Sequence, residues 1–285
     1  MTSPAWLDQK EYPFAHHFVD LDAGRLHYLD EGAGDPVVLV HGTPTWSFLY
    51  RDLIKTLSPN YRCLAPDHLG FGLSSKPEAF AYTPQAHAET FERFVESLGL
   101  DDFTLVVHDF GGPIGLAYAL KHPEKIRRLV ILNTWLWRNA DLARGARLLN
   151  NPLGRFLYKR FNMSANFLVK TAFADKTKLT PELHRHYLAP FAKPVDRVPL
   201  WRLVETVSES NPWFGELGVQ LEALKDKPTL IAWGTKDKLV PLANLERWQA
   251  AFPKAQTVRF EVGHFVPEEA GEALGEEIKE FLAAT

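Results

Sequence analysis

The chain has 285 residues, with 32 Lys and Arg against 35 Asp and Glu, a formal charge of −3. That near-balance argues against the basic face of a nucleic-acid binder, and no apolar run approaches the ~18 residues of a membrane span. A chain of this length buries roughly three quarters of its unfolded surface, so it needs neither disulfides nor a metal to fold.

Residues 1–12 include Asp8 and Glu11 and lack an apolar stretch, which is not the pattern of a secretory leader. Short apolar runs at 17–21, 25–29, 37–41 and 62–65 read as strands, and 47–57 and 84–98 read as helices. Strands at 104–108 and 129–132 follow, with a helix over 113–121 between them. The runs 37–40 and 105–107 are apolar throughout, as strands covered on both faces must be. Strands alternating with helices predict an α/β fold built on a mostly parallel, doubly wound sheet. The single Cys63 has no internal partner, which fits a reducing compartment, so a cytoplasmic location is expected.

The rhythm stops near Trp137. From 138 to 215 only helix-like segments occur, broken at Pro152, Pro181, Pro190 and Pro194. Strands resume at 229–233 and 257–262, and an amphipathic helix over 268–282 closes the chain. Residues 1–137 and 216–285 are therefore expected to form a core domain. Residues 138–215 would be a helical cap domain inserted after the sixth strand. Such an insertion is either a packed helical extension or, as expected here, a lid over the carboxyl ends of the strands, where open sheets bind ligands.

Four short segments carry candidate chemistry. In Val106-Val107-His108-Asp109-Phe110-Gly111-Gly112 an apolar strand runs into a glycine pair and then a helix. That is the layout of a nucleophile elbow, with Asp109 at the exposed position and Gly111 and Gly112 letting the helix pack closely. The plainer alternative is that Asp109 only caps the helix. In His41-Gly42-Thr43-Pro44 a turn after a strand could aim the Thr43 N–H at the site; with the Phe110 N–H it would form an oxyanion hole. Asp237 follows a third strand, in Trp233-Gly234-Thr235-Lys236-Asp237, and His264 follows a fourth, in Val262-Gly263-His264. Asp109, Asp237 and His264 thus come in the chain order nucleophile, acid, histidine.

On these segments the chain resembles the α/β-hydrolase superfamily, and within it the haloalkane dehalogenases. The resemblance also rests on His41-Gly42-Thr43-Pro44-Thr45-Trp46-Ser47-Phe48-Leu49-Tyr50-Arg51, Asp67-His68-Leu69-Gly70-Phe71-Gly72-Leu73-Ser74 and Asn133-Thr134-Trp135-Leu136-Trp137. Within the insertion it rests on Tyr187-Leu188-Ala189-Pro190-Phe191 and Pro194-Val195-Asp196-Arg197. It implies an α/β-hydrolase fold and cleavage of carbon–halogen bonds through an alkyl ester on Asp109. Water activated by His264, which Asp237 orients, would hydrolyse that ester.

The chain departs from the family at the halide site. The family's Trp after the nucleophile is here Phe110, and the Asn common after the His-Gly pair is Thr43. Losing one charge-assisted hydrogen bond costs ~1.5–3 kcal/mol. The candidate halide and substrate pocket is therefore Thr43, Phe110, Trp135, Trp137 and Tyr187. Trp135 and Trp137 follow a strand end where the insertion begins, and each could instead anchor the helices. The alternative chemistry on the same Asp109, His264 and Asp237 is epoxide or ester hydrolysis. Epoxide opening needs tyrosine O–H donors, and the insertion holds Tyr158 and Tyr187. The expected partners are a small hydrophobic substrate, water and released halide. No cofactor, metal, nucleic acid or membrane is expected.

Overall fold

The computed structural model describes residues 4–285; of the N-terminal stretch read above, residues 1–3 lie outside it. Eight strands are hydrogen-bonded into one sheet. In chain order they are β1 (His17–Leu21), β2 (Gly24–Glu31), β3 (Pro36–Val40), β4 (Arg62–Pro66), β5 (Phe103–His108), β6 (Ile126–Leu132), β7 (Thr229–Gly234) and β8 (Gln256–Phe260). Their order across the sheet is β1-β2-β4-β3-β5-β6-β7-β8. From β4 to β8 every pairing is parallel, whereas β2 runs antiparallel to both β1 and β4. The antiparallel edge has a local cause: Leu21 and Gly24 close a hairpin too short for a crossover.

The continuous apolar strands follow from how they are covered. Val38 and Val40 of β3, with Leu105 and Val107 of β5, enter one core. Val37, Leu39 and Val106, their neighbours in sequence, enter a second core on the opposite face. Successive side chains alternate across a strand, so a strand buried on both sides must be apolar at every position. The first face is covered by α2 (Pro84–Ser97) and α3 (Gly111–Lys121). The second is covered by α1 (Arg51–Leu57) and the closing helix Gly271–Ala284.

Between β6 and β7 the chain is helical. Here lie α4 (Ala140–Leu149), α5 (Pro152–Phe161), a π-helical turn at Ser164–Leu168, α6 (Val169–Ala172), α7 (Pro181–Leu188) and α8 (Val198–Val219), with short 3-10 turns between some of them. The prolines read as breaks mostly begin elements instead. Pro152 and Pro181 open α5 and α7, behind the capping side chains of Asn151 and Thr180. A proline at a first helical position gives up an N–H that has no intrahelical partner anyway. The helical run also continues past residue 215. α8 reaches Val219 and a 3-10 turn reaches Leu224 before β7 starts, so the helix runs through Gly215 and Gly218. After β7 come α9 (Leu242–Ala251), α10 (Val266–Glu269) and α11 (Gly271–Ala284).

Candidate active site

Asp109 sits between β5 and α3 with φ +52°, a left-handed conformation that costs a non-glycine residue energy and is often found at functional turns. The turn is braced from several sides. The Asp109 carbonyl accepts from Thr134 Oγ1 at 2.5 Å, and the Asp109 N–H donates to Asn133 O at 3.3 Å. A Cβ on Gly111 would overlap the Val40 carbonyl, one on Gly112 would overlap Thr134 Oγ1, and one on Gly42 would overlap the Asp109 carboxylate. The two glycines let α3 start against β3 and the chain after β6, as the sequence pattern anticipates. The Asp109 side chain does not cap α3, whose N-terminus has no side-chain cap bond. Its Oδ1 instead accepts from the Thr43 N–H at 2.8 Å.

Three strand ends bring the other groups in. His264 follows β8, and its Nε2 lies 3.4 Å from Asp109 Oδ2. Its Nδ1 meets Asp237 Oδ2, on the loop after β7, at 2.7 Å. Asp237 is held by further donors: Asn133 Nδ2 on Oδ2 at 2.8 Å, and the N–H groups of Leu239 and Val240 on Oδ1 at 2.7 and 3.1 Å. Burial works to raise the Asp237 pKa, but His264 and these backbone donors hold it below the usual carboxylate value. Burial likewise disfavours a charged His264. The Asp237 carboxylate and the contacts to Asp109 outweigh it and push the imidazole up to about 10. A carboxylate, an imidazole and a second carboxylate in line can serve chemically as nucleophile, base and orienting acid.

Asp109 opens onto a cavity of about 680 Å³. Its floor includes Thr43, Phe110 and Trp135, and its far wall includes Leu149, Tyr158 and Leu168 from the helical segment. Among the described lining residues Asp109 is the only carboxylate, while the cations Arg138, Lys238 and Arg247 stand at the exposed rim. The Phe110 ring meets Trp135 edge-on, centroids 5.0 Å apart. Two buried donors on the floor have no partner, Trp135 Nε1 and Thr43 Oγ1.

Of the five candidate pocket residues, Thr43, Phe110 and Trp135 border this cavity; Trp137 and Tyr187 do not. Trp137 packs against Trp248 and beneath the Arg247 guanidinium. Tyr187 is buried; its hydroxyl bonds the Glu268 carboxylate and its ring meets Phe48 edge-on. Glu268 also receives two hydrogen bonds from Arg51, at 2.8 and 2.6 Å, so Tyr187 belongs to a buried ionic cluster rather than to the pocket. Only Tyr158 of the two tyrosines considered reaches the cavity, so the paired-tyrosine arrangement of epoxide opening is not formed.

Sequence reasoning missed Asn133 and Thr134 as site residues. Asn133, at φ +26°, ties β6 to β7 by accepting from the Gly234 N–H at 2.7 Å while donating to Asp237. The signal was present: two polar residues follow directly on the apolar strand Leu129-Val130-Ile131-Leu132 and are fully buried.

Comparison with known proteins agrees with this fold. A family model described as the alpha/beta hydrolase fold matches residues 35–270. The chain belongs to that family. Within it, haloalkane dehalogenase 2 of Mycobacterium tuberculosis is 36% identical over 280 residues, covering 96% of either chain. A cis-3-alkyl-4-alkyloxetan-2-one decarboxylase of Shewanella oneidensis is 34% identical over 286 residues, covering 96% of this chain and 90% of its own. Among solved structures, haloalkane dehalogenase DatA of Agrobacterium tumefaciens superposes with a TM-score of 0.83 at 26% identity, covering 95% of this chain and 96% of its own.

Proposed function

We infer that this chain hydrolyses carbon–halogen bonds of small hydrophobic haloalkanes, using Asp109 as nucleophile, His264 as base and Asp237 as the acid that orients it. The observation that carries the reading is a carboxylate, where other hydrolases place a hydroxyl, at an elbow facing a largely apolar cavity. The curated haloalkane dehalogenases among its relatives support it.

A carboxylate with a reference pKa of ~3.9 is ionised at neutral pH and needs no base before attacking an sp3 carbon. An Asp109 oxygen bonds the carbon while the carbon–halogen bond breaks and the halide leaves with its electron pair. Trp135 Nε1 and Thr43 Oγ1 are the unpartnered donors available to that halide. Esterified Asp109 carries no charge, so part of what raises the His264 pKa disappears. The imidazole then releases its proton more readily, at the stage where water must be activated. Water adds to the ester carbonyl carbon and gives its proton to His264 Nε2. The N–H groups of Thr43 and Phe110 hold the oxyanion. The alkoxide then leaves, taking that proton. The sum is haloalkane plus water giving alcohol, halide and a proton. The helices between β6 and β7 act as the cap that keeps bulk water from the ester.

The test is halide release from 1-bromobutane, 1-iodohexane and 1,2-dibromoethane, with Asp109→Asn as the blank. Wild type should release halide and the blank should not. His264→Phe should accumulate a covalent alkyl adduct, seen as a mass increase of the intact protein. Folded wild type that releases no halide, with no adduct in His264→Phe, overturns the reading.

A second reading has its own observation. Two relatives, at 34% and 32% identity, are oxetan-2-one decarboxylases, and Phe110 offers no side-chain N–H to a halide. On that reading Asp109 attacks ring carbon C4 of a strained four-membered lactone, and the C4–O bond breaks to leave a β-carboxylate. Loss of that carboxylate as carbon dioxide forms the alkene and expels the Asp109 carboxylate, so a 3,4-dialkyl-oxetan-2-one would yield carbon dioxide and an alkene, and the halide panel would stay silent.

A further inference from the structure

Helix α5 has an apolar stripe that faces outward. Leu153, Phe156, Leu157 and Phe161 follow the spacing of one helical face. They remain exposed, with Leu153 at 65%, Phe156 at 61% and Phe161 at 50%, while Tyr158 is the residue of this helix that is buried. Leu148 at the end of α4 and Phe167 in the π-helical turn, on the elements flanking α5 in the chain, are exposed as well. Seven of the eleven large apolar side chains exposed among the described residues fall between 148 and 168. Solitary exposed apolar residues are ordinary, but a contiguous patch marks a contact surface.

The charge around the patch says what kind. Residues 142–174 contain six Lys or Arg and no Asp or Glu, in a chain whose net charge is −3. Arg155, Lys159 and Arg160 share α5 with the apolar stripe and line a groove of about 580 Å³ beside it. The groove's one carboxylate, Glu205, is paired with Arg202 at 2.6 Å. Aromatic and leucine side chains on one face of a helix that itself carries cations and no acid suit a helix lying in the interface of an anionic bilayer. The same helices wall the cavity from inside: Leu149 and Tyr158 face it, and Leu168 belongs to both the cavity lining and the exposed patch.

We propose that the α4–α5 face docks this protein on the surface of an anionic lipid membrane and sets the helical wall of its cavity against the bilayer, from which an apolar substrate can enter. This is surface contact and not insertion, since no described helix is long and apolar enough to cross a membrane.

The experiment is flotation of the full chain with phosphatidylcholine vesicles, and with vesicles in which about one lipid in three is phosphatidylglycerol. Wild type should float with the anionic vesicles at least about fivefold more than with the neutral ones, and less in ~1 M salt, where the Debye length is ~3 Å. Phe156→Ser with Phe161→Ser should lower binding roughly tenfold. Arg155→Glu with Lys159→Glu should abolish the preference for anionic lipid. Both pairs are at the surface, so circular dichroism should show wild-type folding. Wild type that stays soluble with both vesicles, or floats equally with both, overturns the proposal. So does a wild-type dimer on size exclusion that the double serine variant dissolves without any vesicle binding, which would assign the patch to a second copy. Flotation does not depend on turnover, so protein that floats but releases no halide would overturn the proposed reaction and leave this inference standing.

Discussion

At Asp109 three constraints converge on one residue: a left-handed backbone, an N–H from Thr43 on one oxygen and the His264 imidazole beside the other. Two neighbours give sharp tests. Trp135→Phe keeps the ring against Phe110 but removes the unpartnered Nε1–H. A charge-assisted hydrogen bond is worth ~1.5–3 kcal/mol, so kcat for bromoalkanes should fall about ten- to a hundredfold if that group holds the halide. Steady-state kinetics beside an unchanged melting temperature would check this. Asn133→Ala removes a donor from Asp237 and an acceptor from the Gly234 N–H. It should lower kcat by about tenfold or more with little change in KM, because the lost bond orients His264 rather than substrate. The residue types at 109, 237 and 264 were legible because each follows a strand within a few residues. Trp137 and Tyr187 were misplaced because a large aromatic near a motif reads the same whether it faces the cavity, Trp248 or Glu268.

The elements show the same division. The start of α3 depends on Gly112, whose missing Cβ leaves room for Thr134 Oγ1. Gly112→Ala should cost about 1–3 kcal/mol or more by overpacking and should also lower activity, since Thr134 bonds the Asp109 carbonyl. Urea unfolding alongside turnover measures both. The strands were readable because burial on two faces demands unbroken apolar runs, and Val37 to Val40 supply one. The helical segment was readable as helical but not in its joints. Pro152 and Pro181 start helices there, while Pro212 lies inside α8, and the residue type alone does not distinguish these positions. The outward face of α5 was not readable either, because an amphipathic pattern does not say which side meets water.

Across the whole molecule, buried histidines are expected to lower stability as the pH falls. Burial, and then the nearby His41, push His87 down to about 3, and neither ring nitrogen has a partner. Burial, and then His264, push His108 down to about 4. A histidine depressed in the folded state stays neutral there while its unfolded counterpart, with a pKa of ~6.5, takes up a proton. Its contribution is therefore present above ~6.5 and is lost as the pH falls through that value toward the folded pKa. Between pH 7 and pH 5 the His87 share of that loss is about 2 kcal/mol. His87→Phe should therefore shrink the drop in unfolding free energy over that interval by about the same amount, measured by denaturant titration at the two pH values. His264 works in the opposite direction. Its raised pKa gives stability that is full below ~6.5 and fades as the pH climbs toward about 10.

The sequence by itself determined the sheet, the site-bearing turns and the chemical types at 109, 237 and 264. Those depend on local patterns: apolar runs, glycines where backbones meet, and polar residues at strand ends. Only the tertiary structure decided that Asn133 braces Asp237, that Tyr187 is tied to Glu268 and does not line the cavity, and that the apolar stripe of α5 points outward. Each of these depends on which distant segment lies opposite a given side chain, and packing across the fold sets that, not spacing along the chain.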